Sequence, residues 1–360
     1  MPRAREGASL ADLVRMATPL CQQAQQQRPR KGPGHPVDFE DWQIAVLIMV
    51  AILHKRKSKS SQYRFLSSRR QELIQWLQLP RWPARSSYFV RYRKAHRLFT
   101  VAVRLQGQKA LQENVARAES VAVDKSLLTA HGPQWHKKDR KAGRIPKGLH
   151  GVDRDGTWAF SQHHGWVQGY SYEVVVTATK DGAVLPLLAS ADTASVSEHV
   201  SFADKIEHLP QGCRYVLADS GYDNNRYGEQ IEYDPDDRRT GRRFLCPINP
   251  RNRKKGAEGR PMETDSGATP TVSQQRRRQR QRFLHSRRGR RLYRRRSQSV
   301  EPFNDWFKCL FGLEQRVWHR GSANNQTQLL AAIFCYQLLL RYNRRRGREN
   351  GQIQWILDAL

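Results

Sequence analysis

The stretch that decides the fold is residues 119–128, which read ESVAVDKSLL. Its β-branched and aliphatic residues, bounded by polar ones, predict a strand. Asp124 stands inside the apolar part of this strand. A carboxylate on a buried strand costs free energy unless it is paired or binds a metal ion. The stretch therefore predicts a sheet and, within it, a candidate site.

A second strand of the same kind lies further along the chain. Residues 214–218, RYVLA, are followed at once by Asp219. If the two strands are adjacent and parallel, both carboxylates lie at one edge of the sheet, where α/β proteins place their active sites. Either aspartate alone is more typical of a helix cap or a turn. The pair favours a divalent-metal site.

The rest of the central region predicts a mixed α/β layer. Further strands are predicted in residues 157–165, 170–190 and 243–248, and helices in residues 197–209 and 223–233. Strands that alternate with helices in this way indicate a sheet covered by helices, and not an all-helical protein.

The N-terminal region is helical by pattern. One helix is predicted from Asp38, as the N-cap, through the apolar run Ile44–Leu53, and two more over Tyr63–Leu79 and Ser86–Phe99. The last interleaves basic and aromatic residues, which is compatible with a helix-turn-helix-like DNA reader. A plain helical bundle with a solvated basic face is the alternative. DNA contacts are predicted for its basic residues Arg91, Arg93 and Lys94.

The charge is large and unevenly distributed. The 360 residues hold 63 Lys+Arg and 33 Asp+Glu, a net charge of +30. Residues 1–118 carry +15, residues 119–249 carry −2 and residues 250–360 carry +17. Such a charge favours a polyanionic partner, either nucleic acid or an anionic membrane. The longest apolar run, ten residues, is too short to span a bilayer, so we expect no membrane partner. Basic flanks around an acidic centre suit a DNA enzyme.

Several other classes of protein are disfavoured. The five cysteines are widely spaced without a CxxC pair, which argues against a disulfide framework or a zinc ribbon and favours a cytoplasmic protein. The N-terminus lacks the apolar run of a signal peptide. No GxxxxGK[ST] motif indicates an ATP site, and no GxSxG motif indicates a serine hydrolase. His163 and His164 face opposite ways on a strand, so we expect no shared metal ion.

Residues 250–296 form a strongly basic segment. They hold 17 basic and 3 acidic residues and few apolar ones. Such a composition cannot bury a core by itself. We therefore expect a disordered basic loop, or a phosphate-binding segment that becomes ordered on DNA.

The next helix offers a third carboxylate. Glu301 is predicted near its start, and Lys308 follows two helical turns later on nearly the same face. An adjacent apolar stripe anchors this helix to the sheet: Val300, Phe303, Phe307 and Leu310. We therefore expect Glu301 to point toward the sheet edge, although a glutamate in a first helical turn is also favoured by the helix dipole. The rival carboxylate, Glu314, has no lysine at this spacing.

With Asp124, Asp219 and Glu301 in this order, the chain resembles the DDE transposases of bacterial insertion sequences, from about residue 35 to 345. The strings VAVDKSLL, GYSYEVVV and VLADSGYDNN carry the resemblance. One branch of that family has the pattern Tyr-x2-Arg-x3-Glu-x6-Lys. Tyr293-x2-Arg296 and Glu301-x6-Lys308 match its two halves here, with a spacer of four residues in place of three.

The resemblance implies an RNase H-like mixed-sheet catalytic core and a helical N-terminal domain. The implied domains are residues 1–115, helical and DNA-binding, residues 116–320, the catalytic core with basic segment 250–296, and residues 321–360, a C-terminal helix and basic tail. By the same resemblance, Asp124 bridges two Mg²⁺ or Mn²⁺ ions, and Asp219 and Glu301 hold one each. Lys308, Arg296 and Tyr293 are implied DNA contacts.

The implied activity is DNA transposition. The enzyme cleaves the transposon ends with water, and the freed 3′-OH then attacks target DNA, without ATP. The expected partners are terminal inverted repeats and target DNA, bound by a homodimer on DNA in a prokaryotic nucleoid. Two alternatives remain: an RNase H-like nuclease or resolvase without strand transfer, and a repurposed, non-catalytic DNA-binding derivative.

Overall fold

The structure, a computed structural model, describes residues 7–28, 38–161, 165–179, 183–250, 271–348 and 351–360. The strands are β1 (Ser120–Thr129), β2 (Thr157–Ser161), β3 (Gly165–Thr177), β4 (Pro186–Thr193), β5 (Tyr215–Leu217) and β6 (Arg243–Leu245). Six helices precede the sheet: α1 (Leu10–Gln26), α2 (Asp41–Leu53), α3 (Lys59–Ser68), α4 (Arg70–Leu77), α5 (Arg85–Lys94) and α6 (His96–Gln112). The later helices are α7 (Lys137–Lys141), α8 (Glu198–Ile206), α9 (Asn225–Glu232), α10 (Val272–His285), α11 (Arg287–Tyr293), α12 (Ser297–Leu310), α13 (Ser322–Arg345) and α14 (Gln354–Ala359).

The six strands form one mixed sheet. Strand β3 lies antiparallel between β1 and β4, and its first residues also pair with β2. On the other side of β1, strands β5 and β6 continue the sheet in parallel. Three antiparallel strands followed by two parallel ones, joined through α8 and α9, make an RNase H-like core. The predicted mixed α/β fold is confirmed.

The pairing of β1 with β5 aligns the two aspartates. Ala122 lies opposite Leu217 in a parallel register. Asp124 and Asp219 each follow two residues later in their own chain segment. The expectation that these strands are adjacent and parallel, with both carboxylates at one edge of the sheet, is therefore met.

The long apolar helix α13 connects the helical layer to the sheet. It packs against α2, α5 and α6 on one side and against β4 on another. Its interior residues are buried from Thr327 to Asn343, and one continuous hydrophobic cluster includes side chains from α1, α13 and β3. The division into three domains stays a prediction. No helix among the described residues is long and apolar enough to cross a membrane.

Some predicted helix boundaries in the N-terminal region are wrong. Helix α2 begins at Asp41 with Glu40 as its N-cap, not Asp38, because the backbone N–H of Glu40 donates to Gln43 Oε1 at 2.8 Å. The stretch predicted as one helix over 63–79 is two helices, α3 and α4. The stretch 86–99 is also divided, since α5 ends at Lys94 and α6 begins at His96.

The prediction for the basic segment is wrong for the part that the structure describes. Residues 251–270 lie outside the described residues, but α10 and α11 are ordered helices. The reason is electrostatic, because the arginines of α10 pair with carboxylates of the central region. These pairs are Arg276 with Glu229 (2.8 Å) and Asp237 (2.7 Å), Arg277 with Asp223 (2.7 Å), and Arg280 with Glu229 (3.3 Å) and Glu232 (3.6 Å).

Gly228 makes room for the most buried of these arginines. A Cβ atom at Gly228 of α9 would lie 2.5 Å from Arg280 Cζ and 2.6 Å from Nε. Only 7% of the Arg280 side chain is exposed. The missing side chain therefore lets α10 lie close against α9.

We predict that Gly228→Ala displaces Arg280 and loosens α10. The lost ion pairs of a buried guanidinium outweigh the gain of about 1 kcal/mol in helix propensity. Hydrogen exchange measured by mass spectrometry should show faster exchange in residues 272–285. Gly212→Ala is the control, because nothing lies within 4 Å of a Cβ at that position. Unchanged exchange of α10 in Gly228→Ala would contradict this account of the docking.

Candidate active site at the β1–β5 edge

The two aspartates are held at the same edge by a shared cation. Arg296, the N-cap residue of α12, places one guanidinium nitrogen 2.7 Å from Asp124 Oδ1 and 3.4 Å from Asp219 Oδ2. Asp124 is largely covered, with 17% of its side chain exposed, whereas Asp219 keeps 40% exposed. The arrangement leaves the edge open to solvent on the side of Asp219.

Asp124 is oriented by a second hydrogen bond. Asn304 of α12 donates from Nδ2 to Asp124 Oδ2 at 2.8 Å. The amide of Asn304 is itself fixed, because the hydroxyl of Tyr172 on β3 donates to its Oδ1 at 2.8 Å. Both oxygens of Asp124 therefore accept a hydrogen bond, one from a charged donor and one from a neutral donor.

The surroundings of Asp124 shift the pKa of its carboxyl group in opposing directions. The pKa of Asp124 is raised to about 6, mainly by burial and also by the nearby charge of Asp219, although Arg296 and Asn304 act in the opposite direction. The positive charge of Arg296 therefore favours the charged form of Asp124 beside Asp219.

A further carboxylate, Glu198, lies beside Asp219. It is the first residue of α8. A Cβ atom built on Gly221 would be 2.1 Å from Glu198 Oε2 and 2.9 Å from Asp219 Oδ1, so both carboxylates converge over this glycine. The pKa of Glu198 is raised to about 7, mainly by burial and also by the charge of Asp219. The absence of a side chain at Gly221 thus leaves room for the carboxylate of Glu198, in addition to any role of this glycine in the turn.

The other predicted site residues are placed as follows. Glu301 is exposed on α12, one turn before Asn304, and its role as a third carboxylate at the edge stays a prediction. Lys308 on the same helix is near enough for the charge of Asp124 to raise its pKa, although burial lowers it overall. Tyr293 donates from its hydroxyl to the carbonyl of Ala218 at 3.2 Å, just before Asp219.

The basic residues of α5 are less buried than its aromatic residues. Tyr88 and Tyr92 are fully buried. Arg91 pairs with Asp41 at 3.0 Å, and Arg93 and Lys94 are exposed. Their DNA contacts, and the roles of Glu301, Lys308, Arg296 and Tyr293, stay predictions.

The sequence interpretation missed Asn304 and Glu198. Asn304 had a detectable signal, since it is the polar residue within the apolar face formed by Val300, Phe303 and Phe307. Glu198 had none, because only the packing of α8 across the sheet brings it to Asp219. Lys125 lies nearby, with its ammonium donating to the carbonyl of Ala194 at 3.2 Å.

The two aspartates fit a divalent metal ion. Their carboxylate oxygens are the hard ligands that Mg²⁺ prefers. Arg296 already holds a positive charge between them, and its buried Nε has no hydrogen-bond partner among the described residues, so that the guanidinium is incompletely satisfied there. In the described part of the chain, no group of three His, Cys, Asp or Glu side chains is arranged to hold a metal ion. Two of the three predicted ligands lie together, and Glu301 does not complete the group.

We predict that Glu198→Gln stabilises the metal-free protein at high pH. Because the pKa of Glu198 is raised to about 7 from its ordinary 4.5, ionisation destabilises the fold. This penalty is absent below about pH 4.5, grows as the pH rises to about 7 and is constant above it. The variant should gain roughly 1–3 kcal/mol at pH 8 and little at pH 5.

Thermal unfolding in EDTA at the two pH values measures this effect. The matched control is Glu207→Gln, at the other end of α8, where 74% of the side chain is exposed. Equal shifts in both variants, or a gain that does not depend on pH, would contradict the placement of Glu198 beside Asp219.

The comparisons with known proteins place this edge within a family. The sequence model of one family, described as the transposase DDE domain, matches residues 116–338. The matched range includes β1, β5, α12 and most of α13. No curated protein and no solved structure matches the chain.

Proposed function

Because the chain belongs to the transposase DDE domain family, we propose that it is a DNA transposase that cleaves transposon ends and joins the freed 3′-OH to target DNA with two Mg²⁺ or Mn²⁺ ions. The observation that supports this proposal is the alignment of Asp124 and Asp219 at one edge of the sheet, with a cation between them. The reaction needs no ATP, since phosphodiester bonds are exchanged and not made anew.

Asp124 and Asp219 would hold the metal ions, with Glu301 as the third carboxylate. Bound divalent ions activate the attacking oxygen and stabilise the leaving oxygen of an in-line phosphodiester displacement. Asn304 keeps the carboxylate of Asp124 in one orientation, because Tyr172 fixes the Asn304 amide. The protein thereby supplies a preformed pair of ligands on rigid strands.

Arg296 would have two successive partners. In the metal-free protein it neutralises the two aspartates. When these carboxylates bind another cation, the guanidinium is released next to the site, and its planar donors suit a DNA phosphate. This exchange reconciles the predicted DNA contact of Arg296 with its observed ion pairs. Lys308, on the same helix, would contact the same DNA.

The remaining expectations are part of the same proposal. The basic residues Arg91, Arg93 and Lys94 of α5 would bind the terminal inverted repeats, and a homodimer would bring two ends together on DNA in the nucleoid. A nuclease or resolvase without strand transfer, or a repurposed DNA-binding derivative, is the alternative. Joining of a pre-cleaved 3′-OH end to a plasmid separates the transposase from both.

We predict that Asp124→Asn and Asp219→Asn each reduce end joining at least about 1,000-fold, because each loses several kcal/mol of transition-state stabilisation. Binding of terminal-repeat DNA, measured by fluorescence anisotropy, should change less than about 10-fold. Asp204→Asn, at an exposed position of α8, is the control and should join normally. Unchanged joining in either active-site variant would overturn the proposal.

A further comparison tests the third carboxylate. Glu301→Gln is predicted to abolish joining, and Glu198→Gln is predicted to retain it. The same plasmid-joining assay measures both variants. Loss of joining in Glu198→Gln, together with normal joining in Glu301→Gln, would show that the carboxylate beside Asp219 has the role assigned to Glu301.

A further inference from the structure

A pair of aromatic rings is exposed at the outer end of β2 and β3. Phe160 and Trp166 are cross-strand partners, 53% and 56% exposed, and their ring centroids are 5.5 Å apart. Large exposed aromatic side chains are typical of binding surfaces. We define the hairpin end as these two residues together with the basic loop, residues 136–150.

The basic loop surrounds these rings with positive charge. It contains six Lys or Arg residues and one acidic residue, Asp139. The ammonium of Lys137 lies 4.2 Å from the centroid of the Trp166 ring. Flat aromatic faces beside lysine and arginine side chains are what proteins use to bind nucleic acid, with rings against bases or sugars and cations against phosphates.

Hydrogen bonds connect the basic loop to the two strands of the hairpin end. Trp158 donates from its indole nitrogen to the carbonyl of Trp135 at 2.9 Å, and Trp135 donates from its own indole nitrogen to the carbonyl of Arg144 at 2.8 Å. The backbone N–H of Trp135 donates to Gln168 Oε1 at 2.6 Å. These bonds tie the basic loop to both strands, so the loop backbone is held beside the rings.

The hairpin end lies on the same side of the sheet as Asp124. Asp124 is opposite Val174, and Trp166 is eight residues from Val174 along β3, an even number that places both side chains on one face. At about 3.4 Å per residue, this separation is about 27 Å. Strand β1 ends at Thr129, opposite Gly169, so the hairpin end extends beyond the carboxyl end of β1. DNA that lies along this edge would reach it.

We propose that the hairpin end is a second DNA-binding surface, which contacts DNA about eight base pairs from the scissile phosphate. The inference rests on the proposed function, since it takes Asp124 as the position of that phosphate. A second copy of this chain is a poorer occupant, because a chain of net charge +30 would meet a basic surface with like charge.

The test uses the full chain carrying Asp124→Asn, so that binding is measured without cleavage. Duplexes carry the terminal repeat and extend either 4 or 16 base pairs beyond the scissile position, on one side and then on the other. The parent chain should bind one of the long duplexes more tightly than its short counterpart. Phe160→Ala/Trp166→Ala should lose at least about 10-fold in affinity for that long duplex and be unchanged on the short one.

Two further variants make the result specific. Lys137→Glu should weaken binding of the same long duplex, and Val200→Ala, which shortens a side chain 64% exposed on α8, should not. Circular dichroism melting checks that each variant is folded. Equal affinity of parent and double variant on every duplex would overturn the proposal. So would a double variant that keeps its DNA affinity but loses dimerisation on DNA, since the surface would then bind a second protomer.

Failure of the proposed function gives a different result. A wild-type chain that binds DNA with this length dependence but neither cleaves nor joins it would leave the second surface in place and overturn the transposase assignment. A wild-type chain that cleaves and joins DNA but binds every duplex length equally would support the transposase assignment and overturn the second surface.

Discussion

The constraint on which the rest of the structure depends is the repulsion between Asp124 and Asp219. Parallel pairing of β1 with β5, Ala122 opposite Leu217, brings the two carboxylates to one edge whether or not a metal ion is present. Two negative charges in a partly buried place raise each other's free energy. Arg296 offsets this repulsion, and it can do so only because α11 and α12 are anchored over the sheet by buried side chains such as Leu292, Val300 and Phe303. The helices that follow the sheet thus carry the cation that stabilises its edge.

The same principle explains the basic segment. A run of arginines without apolar partners has no reason to fold alone. In this chain the carboxylates of α9 and of the segments just before and after it supply the missing counter-charges, and α10 folds against them. Part of the positive charge of residues 250–360 is therefore neutralised within the chain, by carboxylates of residues 119–249. Lys308 and the lysine and arginine residues of the hairpin end lie outside these pairs, and they are among the cations that are proposed to contact DNA.

The position of the carboxylates also bears on function. Asp124 is nearly covered and is oriented by Asn304 and Tyr172, whereas Asp219 faces solvent next to Glu198. A site with one oriented carboxylate and one solvent-accessible carboxylate can bind a cation from solvent without a rearrangement of its strands. Burial is the main cause of the raised pKa of Asp124, about 6, and of Glu198, about 7, and the neighbouring charge of Asp219 adds to both; a bound cation would relieve this second contribution.

Local sequence determined the strands, the placement of Asp124 within one strand and of Asp219 just after another, and the apolar faces of α12 and α13, because each follows from a short run of alternating or periodic residues. The family resemblance rested on the same short strings. Only the tertiary structure decided that Asn304 contacts Asp124, that Glu198 lies beside Asp219 while Glu301 is exposed, and that the arginines of α10 fold onto α9. These arrangements depend on which side chains meet across separations from 21 residues, for Glu198 and Asp219, to 180 residues, for Asp124 and Asn304, and local patterns cannot determine such pairings.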